Sequence, residues 1–183
     1  YLFNGPRGVG KTEAARAFAA ELLADGAPDP DSARLRAMHG SHPDLTWVTP
    51  SGAHEILKED IIPVVRAAAM TPIEGTRRVF VIESAELLHE GSANRMLKTL
   101  EEPAPGTHFI LLSAFPDQVL PTIMSRCQRV RFDAIPATAI AKALEAEGVA
   151  ADRAISCAAL SGGDVALARE LASDEGDQLR NEA

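Results

Sequence analysis

Near the start of the chain Gly5, Pro6, Arg7, Gly8, Val9, Gly10, Lys11 and Thr12 follow the spacing GxxxxGK[ST]. This is a pattern for holding phosphate. Glycines allow a tight turn that aims successive backbone N–H groups at phosphate oxygens, and a helix starting at the turn adds the positive end of its dipole. Lys11 is the expected cation for the β and γ phosphates, and Thr12 the expected hydroxyl for magnesium. Such a site needs a second acidic element at the end of another buried strand. Glu83, directly after the apolar run Val79, Phe80, Val81, Ile82, supplies it. The other reading of Glu83 is a carboxylate that only caps a strand end.

The elements around these residues follow from hydrophobic periodicity. Tyr1, Leu2 and Phe3 form a short strand before the loop, and Ala14, Ala15, Phe18, Ala19, Leu22 and Leu23 recur at helical spacing after it. A Pro, Gly and Asp cluster over residues 25–31 marks a loop, a short helix runs toward Gly40, and Leu45 to Val48 reads as a strand. Ile61, Ile62, Val64, Val65, Ala68 and Ala69 give one helical face, with Pro63 expected in its first turn. Val79–Ile82 and His108–Leu112 have the unbroken apolar character of strands covered on both faces. Between them the pattern predicts a helix capped by Ser92, carrying Ala93, Met96, Leu97 and Leu100, and closed by Pro103. A short helix over Val119, Leu120, Ile123 and Met124 and a strand at Arg129–Phe132 follow. Strands alternating with helices imply an α/β fold with a doubly wound parallel sheet.

After Ile135 and Pro136 the composition turns to alanine-rich helix formers broken at Gly148 and at Gly162 and Gly163. Three short helices are expected, carrying Ile140 and Leu144, then Ile155 and Leu160, then Val165, Leu167 and Leu171. The expected organisation is a nucleotide-binding domain over 1–134, a small helical lid over 135–175 and a polar tail over 176–183. The chain opens at Tyr1 inside a strand and reads as part of something longer.

An apolar fraction of 46% over 183 residues is ordinary for a folded core and argues against a disordered chain. No apolar run approaches the roughly 18 residues of a membrane span, and the opening residues lack an export signal, so the expected location is the cytoplasm, away from membranes. A net charge of -8 excludes gripping nucleic acid with the whole surface. Two cysteines, Cys127 and Cys157, are too few for a disulfide framework, and reduced thiols are expected.

Two further segments carry a family resemblance. Ala93 to Pro103, ANRMLKTLEEP, resembles the NxxLKTLEEP segment of bacterial DNA polymerase III clamp-loader subunits, and Leu120 to Cys127, LPTIMSRC, resembles their LPTIxSRC segment. With the phosphate loop and the HPD of His42, Pro43 and Asp44, the resemblance covers nearly the whole sheet domain; the helical domain matches in layout. It implies an AAA+ P-loop fold with ATP and magnesium as cofactors. It further implies Ser113 as the polar sensor of the γ phosphate, and Arg126 of the SRC triplet as an arginine finger reaching a neighbouring subunit's ATP. The implied partners are gamma/tau and delta subunits, the sliding clamp and, through the complex, primed DNA.

The chain also departs from the active motors of that family. Their metal-binding acid is followed by a second acid that orients water, whereas Glu83 is followed by Ser84. Glu86, two residues on, is a weak substitute and reads as a solvated helix-entry charge. Where motors place an arginine after the lid's glycine turn, Ala166 and Leu167 stand here, with Arg169 further along. The family's four zinc cysteines before HPD are absent from residues 24–42, and Asp25, Asp29, Asp31, His39 and His42 read as loop residues, so no zinc is expected. An acid-poor site with an intact finger fits the delta prime type, with weak or no turnover of its own. The alternatives are an autonomous gamma/tau-type ATPase in which Glu83 and Glu86 share the acidic work, and a small-molecule kinase using the same loop.

Overall fold

The computed structural model describes residues 1–50 and 55–173; the polar tail expected at 176–183 lies outside them. Five strands, β1 (Leu2–Asn4), β2 (Leu45–Val48), β3 (Arg78–Ile82), β4 (Thr107–Ser113) and β5 (Arg129–Arg131), form one sheet in the order β2-β3-β4-β1-β5. Every pairing is parallel. All five carboxyl ends therefore lie along one edge, and the sheet is the doubly wound α/β arrangement that its pattern implied. Residues 78–82 are buried without exception, which is why their run shows no alternation.

Helices α1 (Lys11–Ala24), α2 (Pro30–Met38), α3 (Lys58–Ala68), α4 (Glu90–Glu101) and α5 (Pro121–Met124) connect these strands. Ile61 and Val64 of α3, Met96 of α4 and Ile123 of α5 pack with Leu2, Phe80, Ile82 and Leu111 of the sheet in one core. Phe80 and Phe109 stack across β3 and β4 with ring centroids 5.1 Å apart.

One expectation each about α3 and α4 is corrected. Helix α3 begins at Lys58, so Pro63 stands inside it and not in its first turn. Pro63 deprives Glu59 of an amide donor, but burial of Ile61, Val64 and Ala68 on one face carries the helix through. Helix α4 starts earlier than Ser92: His89 is its cap, with Nδ1 accepting from Gly91 N at 3.1 Å. Ser92 is fully buried and donates to Ile56 O at 3.0 Å, so its hydroxyl ties α4 to the preceding segment.

By contacts the chain forms two compact units, one of Tyr1–Asn4 with Thr12–Arg131, the other of Gly5–Lys11 with the residues from Phe132 onward. The second contains α6 (Ala137–Ala146), α7 (Ala151–Leu160) and α8 (Val165–Ala172). Its core is Ile140, Leu144, Ala154, Cys157, Ala158, Ala168 and Leu171. Ile155 and Leu160 were the expected apolar face of α7, yet they are 58% and 46% exposed. Small residues face inward instead, because Ala154, Cys157 and Ala158 let α7 approach its neighbours closely.

Candidate functional site

The phosphate loop runs from the end of β1 to the start of α1, and its backbone explains its glycines. Gly8 has φ +64, and a Cβ there would lie 1.7 Å from Asp164 Oδ1. Asp164 is itself occupied, capping α8 by accepting from Leu167 N at 2.9 Å, while Val165 N donates to Gly8 O at 3.0 Å. Gly5 is equally confined, since a Cβ there would lie 2.0 Å from Phe132 O. Gly8→Ala therefore combines left-handed strain with displacement of a helix cap. The expected loss is about 2 kcal/mol of stability, with weakened nucleotide binding, checked by denaturant titration and by a fluorescent nucleotide analogue.

Around these glycines, Val9 is buried, Pro6 and Arg7 are exposed, Gly10 takes φ +87, and Thr12 is half-buried in the first turn of α1. Lys11 is 9% exposed and folds back onto its own loop, its ammonium donating to Gly5 O at 2.7 Å and to Pro6 O. A buried cation at a glycine turn that opens a helix is a donor set suited to phosphate oxygens.

Glu83 closes β3, its N–H donating to Val48 O at 2.9 Å. One carboxylate oxygen accepts from Trp47 Nε1 at 2.8 Å, and the Arg16 guanidinium lies 4.6 Å from the centre of the Trp47 ring. Trp47 thus fixes the carboxylate's direction, and Arg16 braces the indole by a cation–π contact. Sequence reasoning passed over both residues, since neither belongs to a motif. Ser84, where a motor carries its second acid, is the one described non-glycine residue with positive φ, at 52°. Held conformations of this kind gather at ligand sites. Glu86 is not a solvated charge as its sequence position suggested. It is half-buried in a 3-10 turn, and one of its oxygens is shielded from solvent without a hydrogen-bond partner.

Ser113 ends β4 opposite Asn4 of β1, and it is 1% exposed. Its hydroxyl oxygen accepts from Phe115 N at 3.1 Å, which leaves the hydroxyl proton for another acceptor. Arg126 lies in the turn after α5, with its side chain 29% exposed, and it pairs with Glu101. Beside it, burial pushes the Cys127 thiol up, so this is not an activated nucleophile. Cys127 and Cys157 are both free.

The HPD residues serve the fold. Asp44, fully buried, accepts from Ile73 N at 2.7 Å, from Glu74 N at 2.9 Å, and from Arg78 Nε and Nη2 at 3.2 and 3.0 Å. Burial alone would raise its carboxyl, yet the Glu74 and Ile73 amides and the Arg78 guanidinium hold it below its ordinary value. The acids near HPD are likewise engaged: Asp25 with Arg77, Asp29 in capping α2, and Asp31 with Arg34. Among the described residues no three His, Cys, Asp or Glu side chains gather to hold a metal.

His42 Nδ1 accepts from Asp44 N at 3.1 Å inside this buried cluster. Burial pulls the imidazole below its ordinary 6.5, with Glu74 opposing and Arg36 reinforcing, and burial acts on His108 in the same direction. An imidazole harder to protonate when folded leaves stability intact above the unfolded value and erodes it as pH falls through that value toward the folded one. Melting temperature should therefore decline from about pH 7 to about pH 5, less steeply in His42→Gln; a pH series of thermal melts checks it.

Residues 1–136 match the family model described as "DNA polymerase III, delta subunit". The delta' subunit of DNA polymerase III from Bacillus subtilis is 36% identical over 144 residues, 76% of this chain and 44% of that protein. Its counterpart from Pseudomonas aeruginosa is 38% identical over 133 residues, 69% of this chain and 40% of that protein. The chain belongs to the DNA polymerase III delta-prime family. A tau subunit from B. subtilis is also similar, at 34% identity over 76% of this chain and 25% of the relative. This member of the family spans less than half the length of the curated relatives it matches. Among solved structures, a gamma-subunit-related protein of DNA polymerase III from Thermotoga maritima superposes with TM-score 0.63 at 21% identity, covering 98% of this chain and 54% of that one. RuvB from the same organism gives 0.60 at 15% identity, covering 93% and 52%. Both likenesses bear on the fold, which is that of the AAA+ P-loop proteins.

Proposed function

We propose that this chain acts as a delta prime-type subunit of a clamp loader, presenting Arg126 to ATP held by a gamma/tau-type neighbour while turning over little ATP itself. The supporting observation is the pairing of a surface guanidinium in the SRC triplet with Ser84 in the place of a motor's second acid. A guanidinium at a γ phosphate offsets the charge that develops during phosphoryl transfer.

In this reading Gly5–Thr12 can still bind a nucleotide: the loop amides and Lys11 take the phosphates, and Thr12 and Glu83 hold magnesium. A bound magnesium nucleotide would supply a charged ligand that orders the loop. Ser113, with its free proton, senses the terminal phosphate. Without an acid directly after Glu83 to orient water, these residues serve binding more than hydrolysis. The proposed partners are gamma/tau and delta subunits, and the proposed outcome is placement of the sliding clamp on primed DNA, in the cytoplasm. The test is ATP turnover of the reconstituted loader with the full-length protein carrying Arg126→Ala; an unchanged rate removes the finger role.

A further inference from the structure

In the folded chain the Arg126 guanidinium is already engaged. Nε donates to Glu101 Oε1 at 2.7 Å and Nη2 donates to the same oxygen, while Nη1 donates to Thr122 O at 2.9 Å and to Ser125 Oγ at 3.2 Å. Glu101 is the last residue of α4, and Arg126 follows α5. The two N–H groups that face Glu101 form one edge of the planar fork, the edge that matches a carboxylate or a phosphate in two-pronged fashion. One edge cannot serve both anions. The other edge, through Nη1, is held by α5 and its turn.

We infer that Glu101 is a positioning residue for Arg126: it parks the guanidinium on the chain's own surface, and a neighbour's γ phosphate must displace that carboxylate to recruit the finger. The inference rests on the trans role given to Arg126 above. Displacement is feasible because both side chains are accessible, 29% exposed for Arg126 and 46% for Glu101. An exposed pair of this kind shifts an equilibrium by only about 1.5- to 5-fold. Such a bias withholds the finger when no triphosphate faces it and yields when one does. A purely structural reading, in which the pair only ties α5 to the end of α4, predicts changes in stability and none in turnover that depend on Arg126.

The test uses the full-length protein in the reconstituted loader, with every motor subunit except the one facing Arg126 inactivated at its phosphate-loop lysine. Glu101→Gln should raise turnover about two- to five-fold at low salt. The gain should shrink as salt screens the pair in the parent protein. In an Arg126→Ala background the same substitution should do nothing. Glu101→Asp, retaining the charge, should restore most of the parent rate, and thermal melts of each variant establish that it is folded. A rate unchanged or lowered by Glu101→Gln in folded protein, or a gain that persists without Arg126, overturns the inference and leaves the finger reading standing. If Arg126→Ala by itself leaves turnover unchanged, the finger reading is what fails.

Discussion

Arg126→Ala in the reconstituted loader should lower ATP turnover at the single facing site about 10³-fold, the scale on which an arginine supplied in trans acts in other phosphoryl-transfer enzymes. The effect belongs in the rate of the chemical step, because the guanidinium gains most of its interaction as charge spreads over the departing phosphoryl group. Nucleotide affinity measured by equilibrium titration should change far less. Arg126→Lys should recover only part of the loss, since an ammonium is a point charge without the planar fork. Single-turnover assays with the other motor sites disabled separate this site from the background. Loss of nucleotide affinity with an intact rate would assign Arg126 to ground-state nucleotide binding instead.

The second large effect concerns stability. Asp44→Ala should destabilise the fold by about 3–5 kcal/mol, because it leaves the Arg78 guanidinium uncompensated in the interior. It also strands the amides of Ile73 and Glu74, which Asp44 alone receives at 2.7 and 2.9 Å. In a chain of 183 residues that corresponds to a fall in melting temperature of roughly 10 °C. Arg78 is 6% exposed and also donates to Ala67 O at 2.8 Å, so β3 and α3 are both anchored through it. Replacing Asp44 and Arg78 together by leucine should lose less than Asp44→Ala alone, because the double change removes the stranded charge. Equilibrium denaturation of the three variants decides it.

The asymmetry between the two residues has a physical source. Arg126 is accessible, and in the proposed role it exchanges one anionic partner for another, so its removal should be felt in turnover and little in folding. Asp44 is enclosed, and both of its carboxylate oxygens accept from its own chain. The HPD residues, read in sequence only as part of a family resemblance, thus hold the loop at residues 73–74 and the edge of the sheet rather than a ligand.

Reading the chain as sequence placed the strands to within a residue or two, and most directly at β3 and β4, which are buried along nearly their whole length so that their apolar runs carry the signal. Helix starts were harder. Ser92 had the chemistry of a cap but lies in the core, and His89, an uncommon cap, takes that place. Pro63 had the chemistry of a first-turn residue, yet packing of one face overrode the local penalty. On α7 the large residues Ile155 and Leu160 face outward while alanines and Cys157 face inward, an inversion that hydrophobicity by residue type cannot show.

By itself the sequence determined the glycine turn between β1 and α1, the strand and helix order and the family segments, since each rests on residues close together in the chain whose spacing fixes local geometry. Tertiary structure alone decided the partners of the charges. That Trp47 aims Glu83, that Asp44 neutralises Arg78, and that Glu101 holds Arg126 follow from residues 25 to 36 positions apart being brought within hydrogen-bonding distance. Ionic and hydrogen-bonding preferences are generic, and only the parallel sheet with its connecting helices selects which donor meets which acceptor.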